Sequence, residues 1–191
     1  MMLCDLLKTN RSYRRFEEAT PIPEAVLTGL VELARYVPSG ANQQPLKYRI
    51  VCRPDENRKV FETLKWAGAL PDWDGPEEGE RPSGYIIILC DKTIGSNKQW
   101  DEGIAAQTIM LGAVAAGFGG CMLGSINRPL LAESLNLSPD RYHISLVLAL
   151  GKPKEEVVIV PVPEDGSTAY YRDEEQTHYV PKRALADLLV Q

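Results

Sequence analysis

The segment Asp101–Ala116 carries almost no polar face. Its run Ile104-Ala105-Ala106-Gln107-Thr108-Ile109-Met110-Leu111-Gly112-Ala113-Val114-Ala115-Ala116 is closed by Gly117, and a helix with so little polar surface must be covered on nearly all sides. A chain that holds it is either a layered fold burying the helix at its centre, or an oligomer that covers it with a second subunit.

The rest of the pattern favours layers. Tyr85-Ile86-Ile87-Ile88-Leu89-Cys90 is a continuous apolar run, as in a strand covered on both faces. Residues 46–52 alternate like a strand, and 120–124 and 144–150 complete a set of four. Between them fall helical segments at 2–9 (ending near Asn10), Pro23–Tyr36, Asp55–Trp66 and 101–116, then a short helix from Asn127 to about Asn136. Strands alternating with helices predict a layered α/β or α+β domain on a mixed sheet. Beyond Lys152 the chain changes character. An extended, proline-marked stretch at 157–163 precedes a hairpin over Tyr170–Val180, and Pro181-Lys182-Arg183 opens a last amphipathic helix with Leu185, Leu188 and Leu189. Such an apolar, extended tail fits an arm laid over a partner, or one folded back on its own domain.

At 191 residues, one sizeable domain accounts for the whole chain. A net charge of −5 argues against nucleic acid as the main partner, because affinity for a phosphate backbone comes from a basic face. The four cysteines are widely spread with no C-x-x-C pair, and with only two histidines a Cys/His metal site is not expected. The N-terminus has no cleavage-site pattern and no run reaches the length of a membrane span, so a reducing cytoplasm is the expected location.

Against that acidic background, Asn10-Arg11-Ser12-Tyr13-Arg14-Arg15-Phe16 is a local basic cluster. Guanidinium forks bind phosphate bidentately and a hydroxyl adds a neutral donor, so Arg11, Ser12 and Arg14 suit a small anion. Lys182 and Arg183 form a second basic pair at the far end of the chain. If the two groups meet, they make a phosphate site of three or four cations. Three other stretches carry ligand chemistry. The loop Pro38–Pro45 offers amides and hydroxyls. The long stretch 67–83, with Trp73, has the length of a lid or binding segment. Gly117–Ser125 lacks the spacing of a dinucleotide fingerprint, but Gly124 permits close approach to something flat.

Five blocks in order resemble the nitroreductase family of FMN-dependent oxidoreductases: Arg11-Ser12-x-Arg14-x-Phe16, Pro38-Ser39-x-x-Asn42-x-Gln44-Pro45, Asp101-x-Gly103-Ile104-Ala105-Ala106-Gln107, Gly119-Gly120-x-x-x-Gly124 and Pro181-Lys182-Arg183. The resemblance implies an α+β fold with a central mixed sheet flanked by helices. It also implies an intertwined homodimer with exchanged C-terminal arms (152–191) and FMN at the subunit interface. Carried over block by block, Arg11, Ser12, Lys182 and Arg183 hold the FMN phosphate and ribityl chain, and Arg14 lies at the pyrimidine edge of the flavin. Pro38, Ser39 and Asn42 come from the other subunit, and Met122, Leu123, Gly124 and Ser125 line one ring face. Trp73 becomes a substrate lid. Hydride passes from NADH or NADPH through the flavin to nitroaromatics, quinones or similar flat acceptors, with no catalytic side chain and no metal required. Specialised flavin chemistry (reductive dehalogenation or flavin cleavage) and a non-catalytic flavin-holding protein remain as alternatives. Two departures stand out: Asn10 where many members have a base, and only Arg81 as a basic residue in 67–83.

Overall fold

A computed structural model describes residues 2–190 except Ala69, Pro71 and 96–98. Its element order is α1 (Leu3–Thr9), α2 (Glu24–Ala34), β1 (Leu46–Val51), α3 (Pro54–Phe61), β2 (Gly84–Asp91), α4 (Gln99–Ala115), β3 (Gly119–Leu123), α5 (Arg128–Ser134), β4 (Tyr142–Gly151), β5 (Val157–Pro161), β6 (Tyr171–Arg172) and β7 (His178–Lys182), with 3-10 turns at Gly40–Asn42 and Leu185–Leu188. The main sheet runs β1-β2-β4-β3 and the small one β5-β7-β6.

The unbroken apolar run of β2 is explained by two covered faces. Tyr85, Ile87 and Leu89 point to one side, where Val147, Ala149, Cys121 and Leu123 meet Val60 of α3 and Leu131 of α5. Ile86 and Ile88 point to the other, with Leu148 and Leu150, against Leu27 and Leu30 of α2 and Ala105, Ile109 and Ala113 of α4. Period-two alternation thus splits one apolar strand between two cores. The architecture is α+β, with helices on both faces of the sheet.

All named pairings in that sheet are antiparallel. Among the described residues, the parallel component of the expected mixed sheet enters as a single-residue bridge from Ser12 to Gly120, alongside the β5–β7 pairing of the small sheet. Gly120 is needed where it stands: a Cβ there would meet the Ala149 carbonyl at 2.0 Å, and one on Gly119 would meet Tyr13 Cδ2 at 2.7 Å. The glycine pair lets the arginine segment lie against the sheet edge, with Tyr13 N donating to Gly120 O at 2.9 Å.

Two expected boundaries are corrected. The helix expected over Asp55–Trp66 ends at Phe61, because residues 63–65 are taken by backbone pairing instead. Asn127 N donates to Thr63 O at 2.7 Å and Lys65 N donates to Ser125 O at 3.0 Å. Pro181-Lys182-Arg183 opens no helix either. Pro181 and Lys182 finish β7, in register with Val160 and Pro161 of β5. Beyond them the chain makes one 3-10 turn with Leu185, Leu188 and Leu189 exposed. The hairpin expected over Tyr170–Val180 is present, with only Tyr171↔Tyr179 and Arg172↔His178 paired.

Candidate functional site: a cationic cavity closed by both ends of the chain

The first sixteen residues are held at the sheet edge by buried anchors. Phe16 is fully buried and bridges to Pro153, and its N–H donates to Glu80 O at 2.9 Å. Arg15 turns away from the cluster into a salt bridge with Glu80 (Nη2–Oε1 2.7 Å), which also takes Lys154 at 2.9 Å. Glu155, itself buried, accepts the backbone N–H of both Arg14 and Arg15 on Oε1, and Arg172 Nη2 at 3.0 Å on Oε2. Arg172 lies over the half-buried Trp73 ring at 4.3 Å. One carboxylate therefore fixes the arginine loop to the C-terminal segment.

Between these pieces lies a cavity of about 360 Å³, within the usual size of small-molecule and cofactor sites. Arg11, Ser12 and Arg14 enter from the N-terminal loop, Gln107 and Met110 from α4, Met122 from β3, and Tyr170, His178, Val180 and Lys182 from the tail. Arg11, Arg14 and Lys182 bring positive charge, and no Asp or Glu lines the space. Arg11 Nη2 donates to Leu7 O at 2.6 Å, while its Nε is buried without a partner. Arg14 Nη1 reaches Ser12 O at 3.3 Å and His178 Nε2 at 3.4 Å, and its guanidinium sits 4.8 Å from the Tyr170 ring centre. His178 is 1% exposed, with Nδ1 unpartnered. Burial, then the charges of Arg14 and Arg172, lower its pKa to about 4, so the ring is neutral near pH 7. Burial pushes the Cys121 thiol up to about 12, which removes it as a nucleophile.

The expected site residues divide. Arg11, Ser12, Arg14, Met122 and Lys182 share this cavity. Leu123, one residue on, faces the opposite core, as strand alternation requires. Gly124 and Ser125 are exposed past the end of β3, and Arg183 is exposed just beyond Lys182. Pro38 and Ser39 line a second cavity, of about 300 Å³, with Tyr48 and Asp101. There Asp101 accepts from Ser39 Oγ at 2.7 Å and Gly40 N at 3.0 Å, tying the loop to α4. Asn42 is exposed at φ 55°, and its Oδ1 accepts from Gln44 Nε2 at 3.1 Å. Trp73 packs on the core under Arg172 rather than lining the cationic cavity. His178, Tyr170 and Glu155 are additions that sequence reasoning missed. A strand running through Lys182 would have put His178 and Val180 on the same face as Lys182.

The nitroreductase family model matches residues 7–80 and 91–152, and this chain belongs to that family. It is 24% identical over 179 residues to the Bacillus subtilis protein named "Putative NAD(P)H nitroreductase YodC", covering 78% of this chain and 88% of that protein. Among solved structures, a "putative nitroreductase in complex with fmn" from Desulfovibrio desulfuricans superposes with TM-score 0.71 at 21% identity, over 98% of this chain and 95% of that one. An FMN-dependent nitroreductase from Clostridium difficile gives TM-score 0.64 at 20% identity, over 81% of this chain and 89% of that one.

Proposed function

We propose that this chain is an FMN-dependent NAD(P)H oxidoreductase that works as a cytoplasmic homodimer on nitroaromatics, quinones or similar flat acceptors. The observation that carries the reading is the acid-free cavity in which Arg11 and Arg14 from one end of the chain meet Lys182 from the other. This donor set fits FMN. Three cations and the Ser12 hydroxyl suit a phosphate and an electron-rich ring edge, the buried Nε of Arg11 lacks an acceptor, and Met110, Met122 and Val180 supply apolar wall.

Arg11, Ser12 and Lys182, with Arg183 beside them, hold the phosphate and ribityl chain. Arg14 presents its charge to the pyrimidine edge, where positive charge favours the anionic reduced state. Met122, with Gly124 and Ser125 at the open end of β3, borders one ring face. FMN, when bound, would supply the hydride-transfer chemistry between NADH or NADPH and the acceptor. The protein binds, orients and excludes water. With His178 neutral and the Cys121 thiol protonated, no side chain is assigned as nucleophile or acid.

The dimer is supported by what one chain leaves bare. On α4, Trp100 (69% exposed) and Ile104 line up at helical spacing with half-exposed Leu111 and with Ala115. Nearby lie Leu33 and Tyr36 (71% exposed), and α1 buries none of its residues. A second subunit on this face brings Pro38, Ser39 and Asn42 to the other copy's flavin. The part of the 152–191 arm left to reach across is the end of the chain with Leu185, Leu188 and Leu189, since Glu155, Tyr170 and His178 hold the preceding segment to its own arginine loop. Trp73, steered by Arg172, borders the substrate side.

The test is direct. Purified protein is expected to be yellow, with one FMN per chain, and to bleach anaerobically with NADH or NADPH. Protein that stays colourless after incubation with FMN overturns the reading.

A further inference from the structure

We infer that His178, as an uncharged acceptor, is the positioning residue that holds Arg14 in the cavity while leaving its positive charge uncancelled. The inference rests on the proposed flavin site. Arg14 has an unusual environment for a part-buried arginine. The side-chain contacts of its guanidinium are a carbonyl (Ser12 O, 3.3 Å), an imidazole nitrogen (His178 Nε2, 3.4 Å) and an aromatic ring (Tyr170, 4.8 Å). The nearby carboxylate, Glu155, is spent on the backbone N–H groups of Arg14 and Arg15 and on Arg172.

A guanidinium has only donors, so the facing His178 Nε2 has to accept, which puts the ring proton on Nδ1. Both neighbouring guanidinium groups, Arg14 and Arg172, oppose a second proton on the ring, and Lys182 lies on the same strand face. The backbone of His178 is fixed as firmly as any in the small sheet. Its N–H donates to Glu156 O at 2.9 Å, and it pairs with Val157 on one side and Arg172 on the other. The imidazole also packs against Tyr170 at a tilt of 48°, with ring centres 5.1 Å apart. A neutral clamp built this way fixes the direction of Arg14, whereas an Asp or Glu at this position would form an ion pair and cancel the charge the site uses.

Four proteins distinguish the outcomes: wild type, His178→Gln, His178→Leu and His178→Glu. For each, the FMN dissociation constant and the two-electron midpoint potential of the bound flavin are measured. His178→Gln keeps an uncharged acceptor and is expected to recover most of the wild-type potential. His178→Glu cancels Arg14 and is expected to weaken reduced relative to oxidised flavin about tenfold, which lowers the potential by about 30 mV. His178→Leu removes the acceptor and is expected to weaken FMN binding several-fold. If His178→Glu binds FMN with an unchanged potential, the clamp is overturned.

A second readout needs no flavin. In FMN-free wild type, ¹⁵N spectra of the histidine ring are expected to show the Nδ1–H tautomer, converting when Arg14 is replaced by Gln. An Nε2–H ring in wild type overturns the inference whatever the flavin result. A wild type that shows Nδ1–H yet binds no FMN overturns the functional reading and, with it, any effect on potential.

Discussion

Two cavities open beside α4, one touching it at Asp101 and the other at Gln107 and Met110, about 9 Å further along the axis. The first is lined by charges of both signs, Glu32 and Asp101 with Arg35 and Lys47, and its buried acid, Asp101, is already satisfied by the loop it holds. The second is lined by three cations, has no acid, and keeps two buried polar atoms without partners, Arg11 Nε and His178 Nδ1. On the proposed reading, the first cavity borders a surface that a second subunit would finish, and the second is the cofactor site. On that reading, the difference separates residues that make the site from residues that would reach it only through a partner.

The largest effect is expected at the unfinished surface. Ile104→Glu puts a charge in the middle of the bare α4 stripe, where an interface would have to desolvate it. The variant is expected to run as a monomer in size-exclusion chromatography with light scattering, and to lose FMN although it keeps every cation of the other cavity. A dimeric variant with normal FMN content would mean that the α4 face is not where subunits meet.

Next comes the cationic cavity itself. Charge-assisted hydrogen bonds are worth roughly 1.5–3 kcal/mol each, so replacing both Arg11 and Lys182 by Ala is expected to weaken FMN binding by at least about 100-fold. The dimer should persist. Binding unchanged in a folded double variant would separate this cavity from the cofactor.

The third effect concerns the strut between the two ends. Glu155→Gln leaves Arg172 part-buried without its carboxylate and weakens the hold on two backbone N–H groups. Losing one partner of a buried pair costs about 3–5 kcal/mol, and denaturant unfolding of the FMN-free protein reads it. A loss below about 1 kcal/mol would show that the tail is held by the β5–β7 pairing alone.

Much of this was legible in the residues, for reasons that differ by region. The apolar run 85–90 announced a doubly covered strand because no other environment tolerates it. The arginine cluster suggested an anion site, and the structure brings Arg11 and Arg14 to one cavity while Arg15 turns to Glu80. The end of β7 at Pro181 and Lys182 was missed because Pro181 reads as a helix opener, and only the non-local partner, β5, makes it extended. His178 lay inside the expected hairpin, but its role was not legible, because its place opposite Arg14 depends on residues 164 positions apart in sequence. The early end of α3 was hidden for the same reason, since its last expected turn is outbid by backbone bonds to residues 125–127. Long-range pairing overrides local propensity, and local reading has no access to it.

The smallest effect is in the acid dependence of stability, and it tests the ring that faces Arg14. An unfolded histidine protonates near 6.5, whereas folded His178 does so only near 4. Between those values the unfolded chain binds one more proton, so stability falls as pH drops from 6.5 towards 4 and this contribution stops changing below that. Two carboxylates act in a lower window. Glu80 is held at about 2 chiefly by its hydrogen bond from Arg15, and Asp91 at about 2 chiefly by hydrogen bonding from Thr93 and then Arg141, against ordinary values of 4.5 and 3.8. What they contribute is complete above those ordinary values and is lost as pH falls towards 2. Denaturation midpoints should therefore fall in two stages. In His178→Gln, the upper stage should flatten while the lower one is unchanged. An upper stage that survives the substitution would show that His178 is not its source and that the ring beside Arg14 is free to take a proton. That outcome would also remove the reason for treating the cationic cavity as a place where charge is deliberately left uncompensated, because a ring that can take a proton there is not being repelled by the two guanidinium groups around it.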